Sequence, residues 1–351
     1  MKLGLSIGYS GAQMDLPVER VQLAERLGYD SVWTAEAYGS DAITPLAFLA
    51  AKTEHIKLGT GIVQLAARTP ANTAMCAGTV DAMAGGGRFL LGLGVSGPQI
   101  VEGWYGQPWG RPYWRIKDYV EIIRKIWARE EPVTHEGKEI SLPYTGEGAM
   151  GIGKPLKSIL HMNPDIPIFI GSGAEASVRL TGEIADGWLP LGFTPGSLDE
   201  YKPWLEVGFE RARKKGKDKG WHNFDIQAGV FVDVDSDVKA AIDRLKPREA
   251  LYVGGMGARD KNFHNDLMCR RGFADAAARI QELYLAGHKK EAEEAVPDEY
   301  IDLKSLMGPA ARVKERYKAW EECGATSLTV RSAQEEAIHV MADAARLNAP
   351  R

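Results

Sequence analysis

Eight apolar runs, four to ten residues long, alternate along this chain with stretches of helical periodicity. They are Leu3–Gly8, Asp30–Ala35, Ile56–Leu65, Phe89–Leu93, Ile166–Ile170, Gly187–Pro190, Phe224–Val232 and Thr326–Val330. The runs are apolar throughout, without a polar face. That is the pattern of strands covered by helices on one side and by packed side chains on the other. The stretches between them read as helices, among them Val18–Leu27, Pro70–Ala84, Ile116–Ala128, Ala174–Ala185, Leu198–Lys214 and Ala333–Leu347. Pro70 sits at a helix start and Gly28 at a helix stop, where each is favoured. Repeated strand–helix units imply a parallel sheet. Eight units fit an α/β (β/α)8 TIM barrel better than an open doubly wound sheet. An open sheet of the dinucleotide-binding kind carries GxGxxG after its first strand, and here that position reads GYSGAQ.

Two segments break the alternation, about 132–164 and 250–309, each rich in glycine and polar residues or carrying an acidic helix. In a barrel of 351 residues they read as insertions into a single domain spanning the chain, lying over the barrel mouth. Long loops in compact domains are usually functional.

A net charge of −4, from 43 basic and 47 acidic residues, offers no field for nucleic acid or an anionic membrane. No apolar run approaches the ~20 residues that span a bilayer, and the N-terminus shows no signal-peptide pattern. Cys76, Cys269 and Cys323 are far apart and odd in number. They read as buried free thiols in a reducing compartment, with a cytoplasmic location expected.

In a barrel, chemistry sits just beyond the strands' carboxyl ends. No Lys stands there to form a Schiff base, and no His cluster to hold a metal. Glu36, Tyr38, Gln64, Ser96, Gln99, Glu102, the Gly171–Ser172–Gly173 turn and Arg331 do stand there. Glu36 and Glu102 leave a carboxylate pair open, as in glycosidases. Gly94–Pro98 and the turn entering the helix at Ala174 are both glycine turns able to meet a phosphate. The plain alternative at the second is a helix cap at Ser172.

The segments LGYDSVWTAEAYGSD (27–41), IKLGTGIVQLAARTPANTA (56–74), GGRFLLGLGVSGPQIVEGWYG (86–106), IFIGSGAEASVRLTGEIADGW (168–188) and VKERYKAWEECGATSLTV (313–330) together resemble the bacterial luciferase-like superfamily. Within it the chain is similar to oxidoreductases that use the deazaflavin coenzyme F420, including the methylenetetrahydromethanopterin reductase-like branch. The resemblance implies hydride transfer between F420 and a small organic substrate, in a homodimer. A monooxygenase using FMN and a non-catalytic flavin-binding barrel are the alternatives. It places Gly61 and Ile62, with Gln64 beyond them, at a non-prolyl cis bulge behind the ring system. Ser96, Gly97 and Gln99 fall along the ring or its ribityl chain. Gly171, Ser172, Gly173 and Ala174 fall at the phosphate, which moves the phosphate away from Gly94–Pro98. Glu36 matches an acidic residue that relatives often follow with His, and here Ala37 follows. The acid/base role then falls to Glu36, Tyr38 or Glu102. Trp104, Tyr105 and Trp109 are expected to wall the substrate pocket, and their aromatic character argues against a highly charged substrate. No metal is expected.

Overall fold

The computed structural model describes residues 1–257, 259 and 261–347. Its strands are β1 (Lys2–Gly8), β2 (Ser31–Thr34), β3 (Lys57–Thr60), β4 (Val63–Gln64), β5 (Phe89–Gly94), β6 (His135–Glu136), β7 (Ser141–Leu142), β8 (Ile168–Ser172), β9 (Gly187–Pro190), β10 (Asp225–Val234), β11 (Ser305–Gly308) and β12 (Ser327–Arg331). Parallel pairing runs β1–β2–β3–β5–β8–β9–β10–β12 and returns to β1, closing an eight-stranded barrel. This is the (β/α)8 architecture expected from the alternation.

Alternate strand residues face opposite sides of the sheet. Val32, Leu91, Ile168 and Ile170 therefore join the core shared with the helices. Their neighbours Trp33, Leu90 and Phe169 form a separate buried cluster that fills the barrel. Trp33 and Phe169 meet edge to face, 5.4 Å between ring centroids. Both rings need glycine opposite. A Cβ on Gly59 would lie 2.4 Å from the Trp33 ring, and one on Gly187 would lie 2.2 Å from Phe169.

Three features of the fold matter for the site, and one of them, the course of the first insertion, departs from the expectation that it lies over the mouth. The third strand, read over 56–65, is split into β3 and β4 by a cis peptide between Gly61 and Ile62. The first insertion leaves the bottom of the barrel after helix Pro112–Ala128. Its β6–β7 hairpin lies along that helix, where Asp118 accepts from the Glu139 and Ile140 amides. It reaches the mouth-side end of the helix through Glu139, ion-paired with Arg111 at 2.6 Å. The rest returns beneath the barrel, where Asn163 donates to Asp81, the carboxylate that also holds the Arg88 and Phe89 amides at the start of β5. The second insertion rises from the mouth. It contains helices Phe263–Arg270, Ala274–Leu285, Lys289–Glu294 and Asp298–Leu303. They enclose a second apolar core around Val253, Met268, Ile280 and Tyr300. The insertion closes on β11, which extends the sheet beside the upper half of β10.

The cysteines are free, but only Cys323 is buried. Cys269 is exposed on its helix, bonded to Asn265 one turn back, because the apolar side of that helix is supplied by Leu267 and Met268. Among the described residues no helix is long and apolar enough to cross a membrane.

Candidate functional site

The ends of β4, β5 and β8 converge on one side chain. Ile62, displaced from the ladder at the cis peptide, packs where side chains on the neighbouring strands would otherwise stand. A Cβ on Gly94 would meet Ile62 Cγ1 at 2.8 Å, and one on Gly171 would meet Ile62 Cγ2 at 3.1 Å. The bulge and both glycine turns singled out in the sequence thus form one patch of the mouth. Just beyond, Ser96 takes a left-handed backbone, φ 61°. The Gln99 side chain folds back over Gly97 and donates to the Met256 carbonyl at 2.7 Å, tying the fourth-strand turn to the second insertion.

At the β8 turn, Ser172 is buried and bonds Thr181 at 2.9 Å. Its hydroxyl is therefore turned into the protein, and the residue that precedes helix Glu175–Ile184 is Ala174, which has no side chain to cap it. The first amides of that helix have no side-chain acceptor, as an anion site needs. Glu175 in the same turn is ion-paired with Arg179.

Glu36 lies at the end of β2 with its side chain 4% exposed. Oε2 accepts from the Ala42 amide at 3.2 Å and Oε1 from the Gln64 amide at 3.1 Å. Arg68 Nη1 donates to both oxygens, at 3.0 and 2.8 Å. Burial alone would lower the Arg68 pKa, but the bond and charge of Glu36, with Asp41 beyond, raise it overall. Asp41 is pushed up by burial and brought below its usual range by bonds from Thr44 and Ile43 and by Arg68. Gln64 completes the knot, its amide donating to the Glu36 and Ala37 carbonyls while Oε1 stays buried with no partner among the described residues. Tyr105 also reaches the Ala37 carbonyl, at 3.3 Å.

The other sequence candidates are dispersed. Glu102 is exposed and accepts from the Trp109 amide at 3.3 Å, holding its own turn. Trp104 is 64% exposed. Trp109 is half-buried, with Lys261 at 5.6 Å from its ring. Tyr38 is half-exposed beside Tyr9.

Two mouth residues, Arg68 and His264, carried no local signal, whereas Tyr9 stands at a strand end where the sequence placed it. Arg68 reads as an isolated loop cation. Tyr9, the first residue past β1, stands beside Tyr252 of the second insertion, and its pKa is raised by burial and by Tyr252 and Tyr38. His264 meets Tyr252 edge to face at 4.7 Å. Its pKa is lowered to about 4 by burial and Lys304, against the pull of Glu249.

The luciferase-like monooxygenase family model matches residues 4–327. A provisionally named coenzyme F420-dependent oxidoreductase of Mycobacterium tuberculosis is 44% identical over 97% of this chain and 98% of its own. The 5,10-methylenetetrahydromethanopterin reductase of Archaeoglobus fulgidus is 29% identical over 89% of this chain and 88% of its own. Among solved structures, the F420-dependent tetrahydromethanopterin reductase of Methanopyrus kandleri superposes with a TM-score of 0.78 at 24% identity, covering 97% of both chains. It shares the fold.

Proposed function

From a chain that belongs to the luciferase-like monooxygenase family, we propose an F420-dependent oxidoreductase that transfers a hydride between the deazaflavin and a small organic substrate. The observation that carries this reading is the seat of Ile62 against Gly94 and Gly171. It supports a rigid wall with no projecting side chains, which a planar ring system can approach. The 44% identical relative supports F420 over FMN.

The residues present fit the coenzyme. Ile62, Gly94 and Ser96 would hold the ring, with Gln64 Oε1 as a buried acceptor still to be satisfied. Gly173, Ala174 and the uncapped helix amides would take the phosphate. Ser172 serves that turn from within, through Thr181. When bound, the deazaflavin supplies two-electron hydride chemistry and the protein supplies position, a dry site and a proton.

Glu36 acts as a positioning residue. Both its oxygens already accept from three donor groups, so it has no lone site at which to exchange a proton with substrate. It fixes Gln64 and, through it, the strand beyond Ile62. Burial raises the Tyr9 pKa, so its hydroxyl keeps its proton at neutral pH, and with Tyr38 it places hydroxyl hydrogen-bond donors at the mouth, from which a proton would be relayed. Glu102 stays outside the chemistry. Gln99, bonded to Met256, fastens the second insertion across the mouth and limits water entry. The first insertion exposes Met150 (85%), Ile152 (78%) and Ile159 (93%), which suits a face covered by a second copy. Sedimentation equilibrium reads this directly, and a monomer at micromolar concentration rules it out.

Titrating the protein with F420 and with FMN, followed by fluorescence quenching, tests the cofactor. Micromolar F420 binding with weaker FMN is expected. Tight FMN binding with no F420 binding overturns the reading.

A further inference from the structure

The mouth also holds positive charge that the cofactor reading does not use. β12 ends on Arg331, in register with Phe231 on β10 and Ser6 on β1. Its guanidinium lies close against β10. A Cβ on Gly229 would meet Nη2 at 2.9 Å, and Cζ stands 5.3 Å from the centroid of the Phe231 ring. Arg248, from helix Val238–Ala250, packs against the same ring at 4.8 Å and against Tyr252 at 4.2 Å.

Two guanidinium groups thus share one aromatic ring with little internal counter-charge. Among the described residues, no carboxylate lies within ion-pair distance of Arg331 and none of its N–H groups has a hydrogen-bond partner. Arg248 has only Glu249, at 3.4 Å, and Glu249 is already bonded by Lys304 at 2.7 Å. Arg331 is exposed to solvent. Burial, then Arg248, bring its pKa down to about 10, which leaves it charged at neutral pH. Two guanidiniums held on one ring repel each other, and an anion placed between them relieves that repulsion.

We propose that Arg331 and Arg248 form an oxyanion-recognition subsite at the barrel mouth, binding the carboxylate or phosphate of the organic substrate, whose remaining atoms lie against Phe231 and Tyr252. The proposal rests on the reading of this mouth as the substrate pocket. A guanidinium presents paired N–H donors that match the two oxygens of such a group. The aromatic lining then serves an amphiphilic substrate, apolar in its body and anionic at one end, instead of selecting against charge.

Calorimetric titration of the full-length protein with benzoate, phenyl phosphate and the neutral benzamide, with and without F420, tests this. One or both anions should bind and benzamide should not, and the preferred anion identifies the group recognised. Arg331→Gln and Arg248→Gln should each weaken the anion about tenfold or more, while F420 affinity stays unchanged. Arg331→Lys, which keeps the charge and loses the fork, should fall between. Equal binding of benzamide and the anions overturns the proposal, as does unchanged anion affinity in both glutamine variants. A parallel loss of F420 affinity also overturns it, by assigning the guanidiniums to the coenzyme's own acidic groups. Failure of F420 to bind the wild-type protein would instead count against the cofactor reading, because the anion titration without F420 is independent of it.

Discussion

Ile62 stands where a side chain on Gly94 would have to go, with 2.8 Å between Ile62 Cγ1 and the position of a Cβ. Ile62 is β-branched and stiff about χ1, so it cannot swing aside cheaply. Gly94→Ala should therefore cost about 1–3 kcal/mol through overpacking and weaken coenzyme binding. Ile62→Ala in the same chain should restore part of both. A double-mutant cycle in urea unfolding, with F420 affinity read in parallel, measures the coupling. Additive effects of the two substitutions would show that the residues do not compete for space.

The Glu36–Arg68 pair makes an asymmetric prediction. Arg68→Ala strips a 4% exposed carboxylate of its charged partner and should cost about 3 kcal/mol. Glu36→Gln keeps the shape and an acceptor, so it should cost less. Under the positioning role, Glu36→Gln should shift coenzyme affinity while leaving the pH profile of turnover in place. A lost limb of that profile would return Glu36 to the chemistry.

His264 ties stability to pH. Burial and Lys304, with Arg248 and Arg331 nearby and Glu249 opposing, hold its pKa to about 4 in the folded state. In the unfolded chain it titrates near ~6.5. Between those values the unfolded chain binds a proton that the folded protein refuses. The contribution is complete above about pH 6.5 and is lost as pH falls through about 4, to a total of roughly 3 kcal/mol. His264→Gln should flatten this part of the stability–pH curve measured by chemical denaturation. A slope that persists in the variant would place its origin in other groups.

The barrel was legible because its strands obey a local rule, apolar on both faces and separated by helices. The turns at 94–99 and 171–174 were legible because glycine next to a strand end is a local signal, and the resemblance placed the interruption at Gly61–Ile62. What stayed hidden depends on distant contacts. Arg68 meets a carboxylate 32 positions earlier, and nothing around it in the chain distinguishes it from a solvated cation. Glu36 looked like an acid because its fourfold saturation comes from Ala42, Gln64 and Arg68 together. In the second insertion the acidic helix Lys289–Glu294 was legible, but its other helices and β11 were missed for a related reason. They are short, and their apolar residues cover one another instead of the barrel.

β1 is paired along one side by β12, with Leu3 opposite Leu328 and Ser6 opposite Arg331. During synthesis the first strand therefore waits with a bare edge until almost the whole chain has emerged. Bare edges invite pairing with other chains, and contacts this remote in sequence form slowly. A ribosome that stalls before the last strand releases a sheet open on two sides and lacking Arg331. The residue proposed to greet the substrate also belongs to the strand that shuts the barrel, so a complete binding mouth and a closed barrel arrive in the same step.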